Sequence, residues 1–178
     1  EGAILVDEAP GEDLVILADL EVSMRGVADE TIIMAPDQHM GGLYPFTLSE
    51  KLAVITENTP FYSDASASPW GKPAIPFEMV SVIGNYSSKV AKFPVKSPVI
   101  GLFADLEIRM IEGPLLVGKE YTARREVVAL SESRRVENYW IRTRIYDPET
   151  DRQVAEILLN HGVLKASYDH YPKDRLPA

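Results

Sequence analysis

Four segments of alternating apolar and polar residues follow one short apolar helix, and this order restricts the fold more than any other feature of the chain. Ala104–Met110 alternates strictly, reads as a half-buried strand and stops at Glu112-Gly113-Pro114. Lys119–Leu130 alternates as well, placing Tyr121, Ala123, Arg125, Val127 and Ala129 on one face. Glu137–Tyr146 follows, with Tyr139, Ile141, Thr143 and Ile145 on its inner side. Asp147-Pro148-Glu149-Thr150-Asp151 then makes a turn, because an acidic residue ahead of proline starts one, and Val154–Leu164 returns antiparallel. The helix in front has proline in its first turn and glycine near its end, Pro76 and Gly84. The expected class is α+β: a curved antiparallel sheet of at least five strands wrapped around a central helix over about Ile75–Gly84.

Ahead of that helix lies a loop, Thr56–Met79, held between two helical walls. The upstream wall is an amphipathic run, Leu48–Thr56, opened by Thr47-Leu48-Ser49-Glu50, a capping-box sequence in which Thr47 and Glu50 satisfy each other's backbone donors. The loop mixes polar groups (Glu57, Asn58, Tyr62, Ser63, Asp64) with rings and prolines, a composition suited to the rim of a pocket. Further upstream, Leu14–Val22 reads as a strand, with a short helix as the alternative, and Thr31–Pro36 as a second strand; the two can pair as an added hairpin. Gly41-Gly42 separates this arm from Leu43–Phe46, expected as the first strand of the main domain. Asn85–Pro98 reads as a surface excursion. The expected division is an N-terminal extension over 1–41, a main domain over 42–168 and a tail over 169–178.

Composition removes several function classes. A net charge of −9 argues against gathering nucleic acid or an anionic membrane surface by bulk electrostatics. With no cysteine there is no disulfide, thiolate metal site or cysteine nucleophile, which fits a reducing, cytoplasmic setting. No apolar run approaches the roughly 20 residues that span a bilayer, and Glu1-Gly2-Ala3-Ile4 lacks the basic start of a signal peptide. His39, His161 and His170 lack metal-ligand spacing, and His161, on a strand, reads as a core group when it faces inward. No glycine-rich phosphate loop or glycine-flanked serine is present, so neither a metal nor a cofactor is expected.

The order of features resembles the MaoC-like hydratase/dehydratase family of hot-dog domains, and within it the non-catalytic N-terminal-type half. The resemblance covers about residues 42–168 and rests on three stretches: Ala53–Asp64 (AVITENTPFYSD), Pro73-Ala74-Ile75-Pro76 and Pro114–Tyr121 (PLLVGKEY). In hydratase-active members an aspartate, with a histidine five residues later, activates the water that adds across an enoyl thioester. Here the two places hold Glu57 and Tyr62. A carboxylate can be tuned into a base, but a phenol with an ordinary pKa near 10 carries protons poorly at neutral pH. The substitution resembles the silent hot dog of two-hot-dog enzymes, whose partner supplies the chemistry.

The resemblance implies a site in which Glu57 and Tyr62 form a degenerate pair, and Asn58, Asp64, Ala74, Ile75 and Pro76 contact substrate. A thioester carbonyl near Ala74–Glu78 would be polarised by free backbone donors at the start of the helix. It also implies an acyl thioester of coenzyme A or a carrier protein as ligand, and a homodimer, or a heterodimer with a catalytic hot-dog subunit. Two alternatives stand beside this one: an acyl thioesterase using Glu78 or Glu57, and a non-enzymatic acyl-binding or assembly partner.

Overall fold

The computed structural model describes residues 9–26, 28–39, 44–55, 57, 59–85 and 93–176. Two short strands come first, β1 (Ala9–Pro10) and β2 (Glu30–Ile32), followed by helix α1 (Leu48–Leu52) and a 3-10 turn at Pro60–Tyr62. A second 3-10 turn, Phe77–Met79, runs into helix α2 (Val80–Asn85). Four long strands complete the sheet: β3 (Gly101–Met110), β4 (Tyr121–Glu132), β5 (Val136–Asp147) and β6 (Arg152–Leu164). All pairs are antiparallel, in the order β1-β4-β5-β6-β3, with β2 also on β4.

The alternation of the long strands does what their sequences require. Tyr121 and Ala123 of β4, Ile145 of β5 and Ala155 and Ile157 of β6 make the floor on which Met79, Val80, Val82 and Ile83 pack. Contact between helix and sheet is close at Gly84, where an added Cβ would lie 2.1 Å from Ile157 Cδ1. The carbonyl of Gly84 accepts a 2.6 Å hydrogen bond from the buried Arg125, whose other amine lies 2.5 Å from Glu30 of β2. One guanidinium thus ties helix, sheet and arm, and its two partners offset the cost of removing it from water. Strands β4 and β6 continue into a second cluster, where Val127 and Val163 pack with Ile16, Leu17 and Leu20 of the arm and Tyr171 near the C-terminus.

Several sequence-based expectations are corrected. Leu14–Val22 is a series of turns, not a strand, and no hairpin forms with the second segment. The reason is an acceptor distant in sequence: the N–H groups of Val15, Ile16 and Leu17 all donate to the Glu137 carboxylate, at 2.9, 2.9 and 3.0 Å, instead of to a neighbouring strand. Of Thr31–Pro36 only Thr31 and Ile32 are extended with Glu30, and they pair with β4. Tyr44–Phe46 is not a strand, and Leu43 lies outside the described residues. The Thr47–Glu50 capping box forms in both directions, but α1 ends at Leu52 instead of near Thr56. The central helix begins at Phe77, not Ile75, because Ala74 and Ile75 are held in backbone pairing with Phe61, Leu115 and Leu116. Finally, β3 starts at Gly101 and is largely exposed instead of half-buried, since it forms the sheet's outer edge.

His161 faces inward, between Phe103 of β3 and Tyr139 of β5, with ring centroids at 5.4 and 5.0 Å. Burial pushes its pKa down to about 4, while the unfolded chain takes up that proton near pH 6.5. Between those values the unfolded state binds more protons, so stability falls as pH falls from about 6.5 to 4. Melting curves across that range should decline more steeply for the native chain than for His161→Phe, which keeps a ring in the stack. Parallel declines would count against the imidazole as the titrating group.

Candidate functional site

The loop after α1 is shaped by short-range bonds. Thr59 accepts the Phe61 N–H at 3.4 Å and Pro60 sets the first position of the turn Pro60–Tyr62. That single turn swings Tyr62 back on the chain, and its hydroxyl donates a 2.9 Å hydrogen bond to Glu57 Oε2. Downstream, Ser68 Oγ donates to the Lys72 carbonyl at 2.6 Å, and Gly71 takes a left-handed φ of +70°, which reverses the chain. Ala74 N–H then donates to Phe61 O and Ile75 N–H to Leu115 O, both at 2.7 Å, locking the proline-rich strip between two segments.

A cavity of about 340 Å3 results, near the lower end of the usual range for ligand sites. Phe61, Trp70, Phe77, Val80, Met110 and Pro114 give it apolar walls, and Glu57 and Tyr62 give it a polar end. Phe61 meets Trp70 edge to face at 6.1 Å. Partial burial pushes the Tyr62 phenol above its ordinary pKa, and the Glu57 hydrogen bond and the charges of Glu57 and Glu78 push it further. At neutral pH the phenol therefore stays protonated, with its proton directed at Glu57. The pair can orient a polar group beside an apolar chain, but its phenol cannot exchange protons as an imidazole does.

Of the residues expected at the site, Glu57, Tyr62, Ala74 and Ile75 line this one cavity. Three others do not. Asp64 is exposed and turned onto its own loop, accepting from Ser66 N and Oγ at 2.8 and 2.6 Å, bonds that hold its carboxyl below the usual range. Glu78 pairs with Lys51 at 3.3 Å and lines a second groove of about 360 Å3 with Val82, Phe103 and Leu106. Pro76 is buried without lining either space, and Asn58 lies outside the described residues. Within the Ala74–Glu78 stretch expected to supply polarising donors, the N–H groups of Ala74 and Ile75 are already bonded and Pro76 has none, which narrows that expectation to Phe77 and Glu78. Trp70, Phe77, Met110 and Pro114 were not anticipated. The ring-rich loop hinted at the first two; nothing local to Met110 or Pro114 marks them as cavity wall. Among the described residues no group of three or more His, Asp or Glu side chains is arranged to hold a metal ion, and no helix is long and apolar enough to cross a membrane.

No family model matches the chain, and no curated protein matches its sequence. Solved structures do match its shape. A MaoC-like dehydratase from Rhodospirillum rubrum is 17% identical with a TM-score of 0.58, over 84% of this chain and 97% of that one. The C-terminally truncated HadBC (3R-hydroxyacyl-ACP dehydratase) complex from Mycobacterium tuberculosis is 13% identical with a TM-score of 0.58, over 81% and 98%. The (R)-hydratase from A. caviae involved in PHA biosynthesis is 18% identical with a TM-score of 0.55, over 81% and 97%. At such identities the likeness establishes the fold: the chain is an α+β hot-dog domain resembling the MaoC-like dehydratases.

Proposed function

We propose that this hot-dog protein binds acyl thioesters in the Glu57–Tyr62 cavity and acts as the non-catalytic subunit or half of an enoyl-thioester hydratase or 3-hydroxyacyl-thioester dehydratase. The observation that carries this reading is the Tyr62–Glu57 hydrogen bond at the polar end of an apolar, ring-lined cavity. An acyl chain suits the walls, and the phenol and carboxylate suit the polar thioester end. Hydration requires a base to take a proton from water as oxygen bonds to the β-carbon, and an acid to protonate the α-carbon. A phenol held protonated against Glu57 supplies no such cycle, so the reaction would draw on an Asp–His pair from a partner hot dog. Coenzyme A and a carrier protein are both acceptable thioester carriers, and a cytoplasmic setting belongs to the same proposal. The thioesterase reading, through Glu78 or Glu57, ranks lower, because Glu78 is tied to Lys51 outside this cavity and Glu57 is engaged by the Tyr62 hydroxyl.

Trp70 lies in the cavity wall and Trp140 is buried in the sheet, so tryptophan emission reports on the site. Titration with crotonyl-coenzyme A is expected to change that emission saturably in the native chain and much less in Trp70→Phe, while thioester absorbance shows hydration at background. Phe77→Ala, which removes an exposed ring from the wall, should weaken binding about tenfold. Absence of saturable binding would overturn the proposal. Thioester hydrolysis that vanishes in Glu78→Gln with binding intact would put the thioesterase first.

A further inference from the structure

The rings that wall the Glu57–Tyr62 cavity are left largely uncovered by the fold. Phe61, Trp70 and Phe77 line it yet remain 40, 45 and 56% exposed, whereas Ala74, Ile75 and Val80, which line it too, are buried and make its base. Exposed apolar groups scattered singly mean little, but rings gathered around one concavity mark a binding surface. These rings are also held in place. Phe61 and Trp70 meet nearly at right angles, 85°. The loop carrying Trp70 is fixed from within: the buried Ser68 hydroxyl accepts the Trp70 N–H at 3.4 Å and donates to the Lys72 carbonyl at 2.6 Å, and the Gly71 N–H returns to Ser68 O at 3.1 Å. Phe61 is pinned by its own carbonyl, which accepts the Ala74 N–H at 2.7 Å, and Phe77 follows the restricted backbone of Pro76. Rings fixed before a ligand arrives cost little further ordering on binding. Met110 adds a thioether, which packs favourably against the edge of a ring.

We infer that the acyl group this cavity takes is aromatic: a 3-arylpropenoyl thioester, or the 3-hydroxy-3-arylpropanoyl thioester that hydration makes from it. The inference rests on the thioester reading and narrows its substrate class. An edge-to-face or offset-stacked aromatic contact is worth about two- to tenfold in affinity beyond the area it buries, and a straight alkyl chain gains from area alone. The place of the ring along the acyl group follows from the chain. Phe61 is the neighbour of Tyr62, so the ring wall begins beside the phenol and carboxylate that suit the thioester end. A ring on the β-carbon, a few bonds from the carbonyl, falls within that wall. A ring at the far end of a long chain would be carried past it toward the base, where Ala74, Ile75 and Val80 close the space. In the hydrated form the 3-hydroxyl lies on the same carbon as the ring, and Glu57 offers it a carboxylate acceptor.

Isothermal calorimetry with cinnamoyl-coenzyme A and trans-2-nonenoyl-coenzyme A, whose acyl groups have the same number of carbons, separates shape from size. The native chain should bind the cinnamoyl thioester at least about fivefold tighter, although the straight chain offers the larger apolar area. Trp70→Leu and Phe61→Leu each keep an apolar wall but remove a ring. Each should bring the two dissociation constants to within about twofold of one another, by weakening cinnamoyl binding more than nonenoyl binding. Trp70→Phe keeps a ring and should keep the preference. Both side chains are exposed, so the circular dichroism spectrum should not change in any of these variants. Equal affinity for the two thioesters, tighter binding of the straight chain, or a preference that survives both leucine variants would overturn the aromatic class and leave the thioester reading standing. Failure of both thioesters to bind would overturn the thioester reading and this inference with it.

Discussion

Glu137→Ala is expected to lower the melting temperature by roughly 6–12 °C, taking a loss of about 3 kcal/mol and 2–4 °C per kcal/mol for a chain of this size. Glu137 is wholly buried, yet both of its oxygens are engaged by the successive N–H groups of Val15, Ile16 and Leu17. Each bond to a charged acceptor contributes about 1.5–3 kcal/mol net, and a buried N–H left unpaired costs about as much, so even strongly non-additive losses reach that size. Glu137→Gln should be intermediate, because one amide oxygen can accept while the amide nitrogen faces a donor. Tyr171 packs in the same cluster, and burial and the Glu137 charge push its phenol up, so it stays protonated beside the carboxylate. The loss should begin locally: limited proteolysis is expected to cut the arm around Leu14–Met24 before the sheet melts. Unchanged melting in both variants would show that the arm is held by apolar packing alone.

The double change Glu57→Asp with Tyr62→His should raise crotonyl-thioester hydration at least a hundredfold over the native chain, the lower end of what a positioned acid–base group contributes. Tyr62 already reaches Glu57 at 2.9 Å, so the loop holds the two positions in hydrogen-bonding contact. An imidazole at position 62 would titrate near neutrality, where the phenol, held above its ordinary pKa, does not. Glu57→Asp alone should do nothing, because the phenol would still withhold its proton. Tyr62→His alone should recover part of the rate. If the double variant binds thioester through Trp70 yet stays at background, the cavity serves binding or assembly only. Robust turnover by the native chain would overturn the division of labour with a partner and make Glu57 the base.

Much of this architecture is legible without coordinates, and the legible parts are local. Period-2 alternation in the four long strands, the Thr47–Glu50 capping box and the proline and glycine flanking the central helix each act within a few residues. The Glu57–Tyr62 meeting is local too, since Thr59 and Pro60 form the turn between them. What only the tertiary structure decided is which partner satisfies each surface and donor. Alternation states that a face is apolar but not what covers it, so β3 reads as half-buried like the other strands until its neighbour on one side proves to be β6, with no strand on its other side among the described residues. Every non-proline residue carries the same N–H, so nothing in Leu14–Val22 reveals that three of those groups are claimed by a carboxylate about 120 positions away. Met110 and Pro114 enter the cavity wall because the end of β3 passes beside the proline-rich strip, a juxtaposition set by strand order and not by any residue near them.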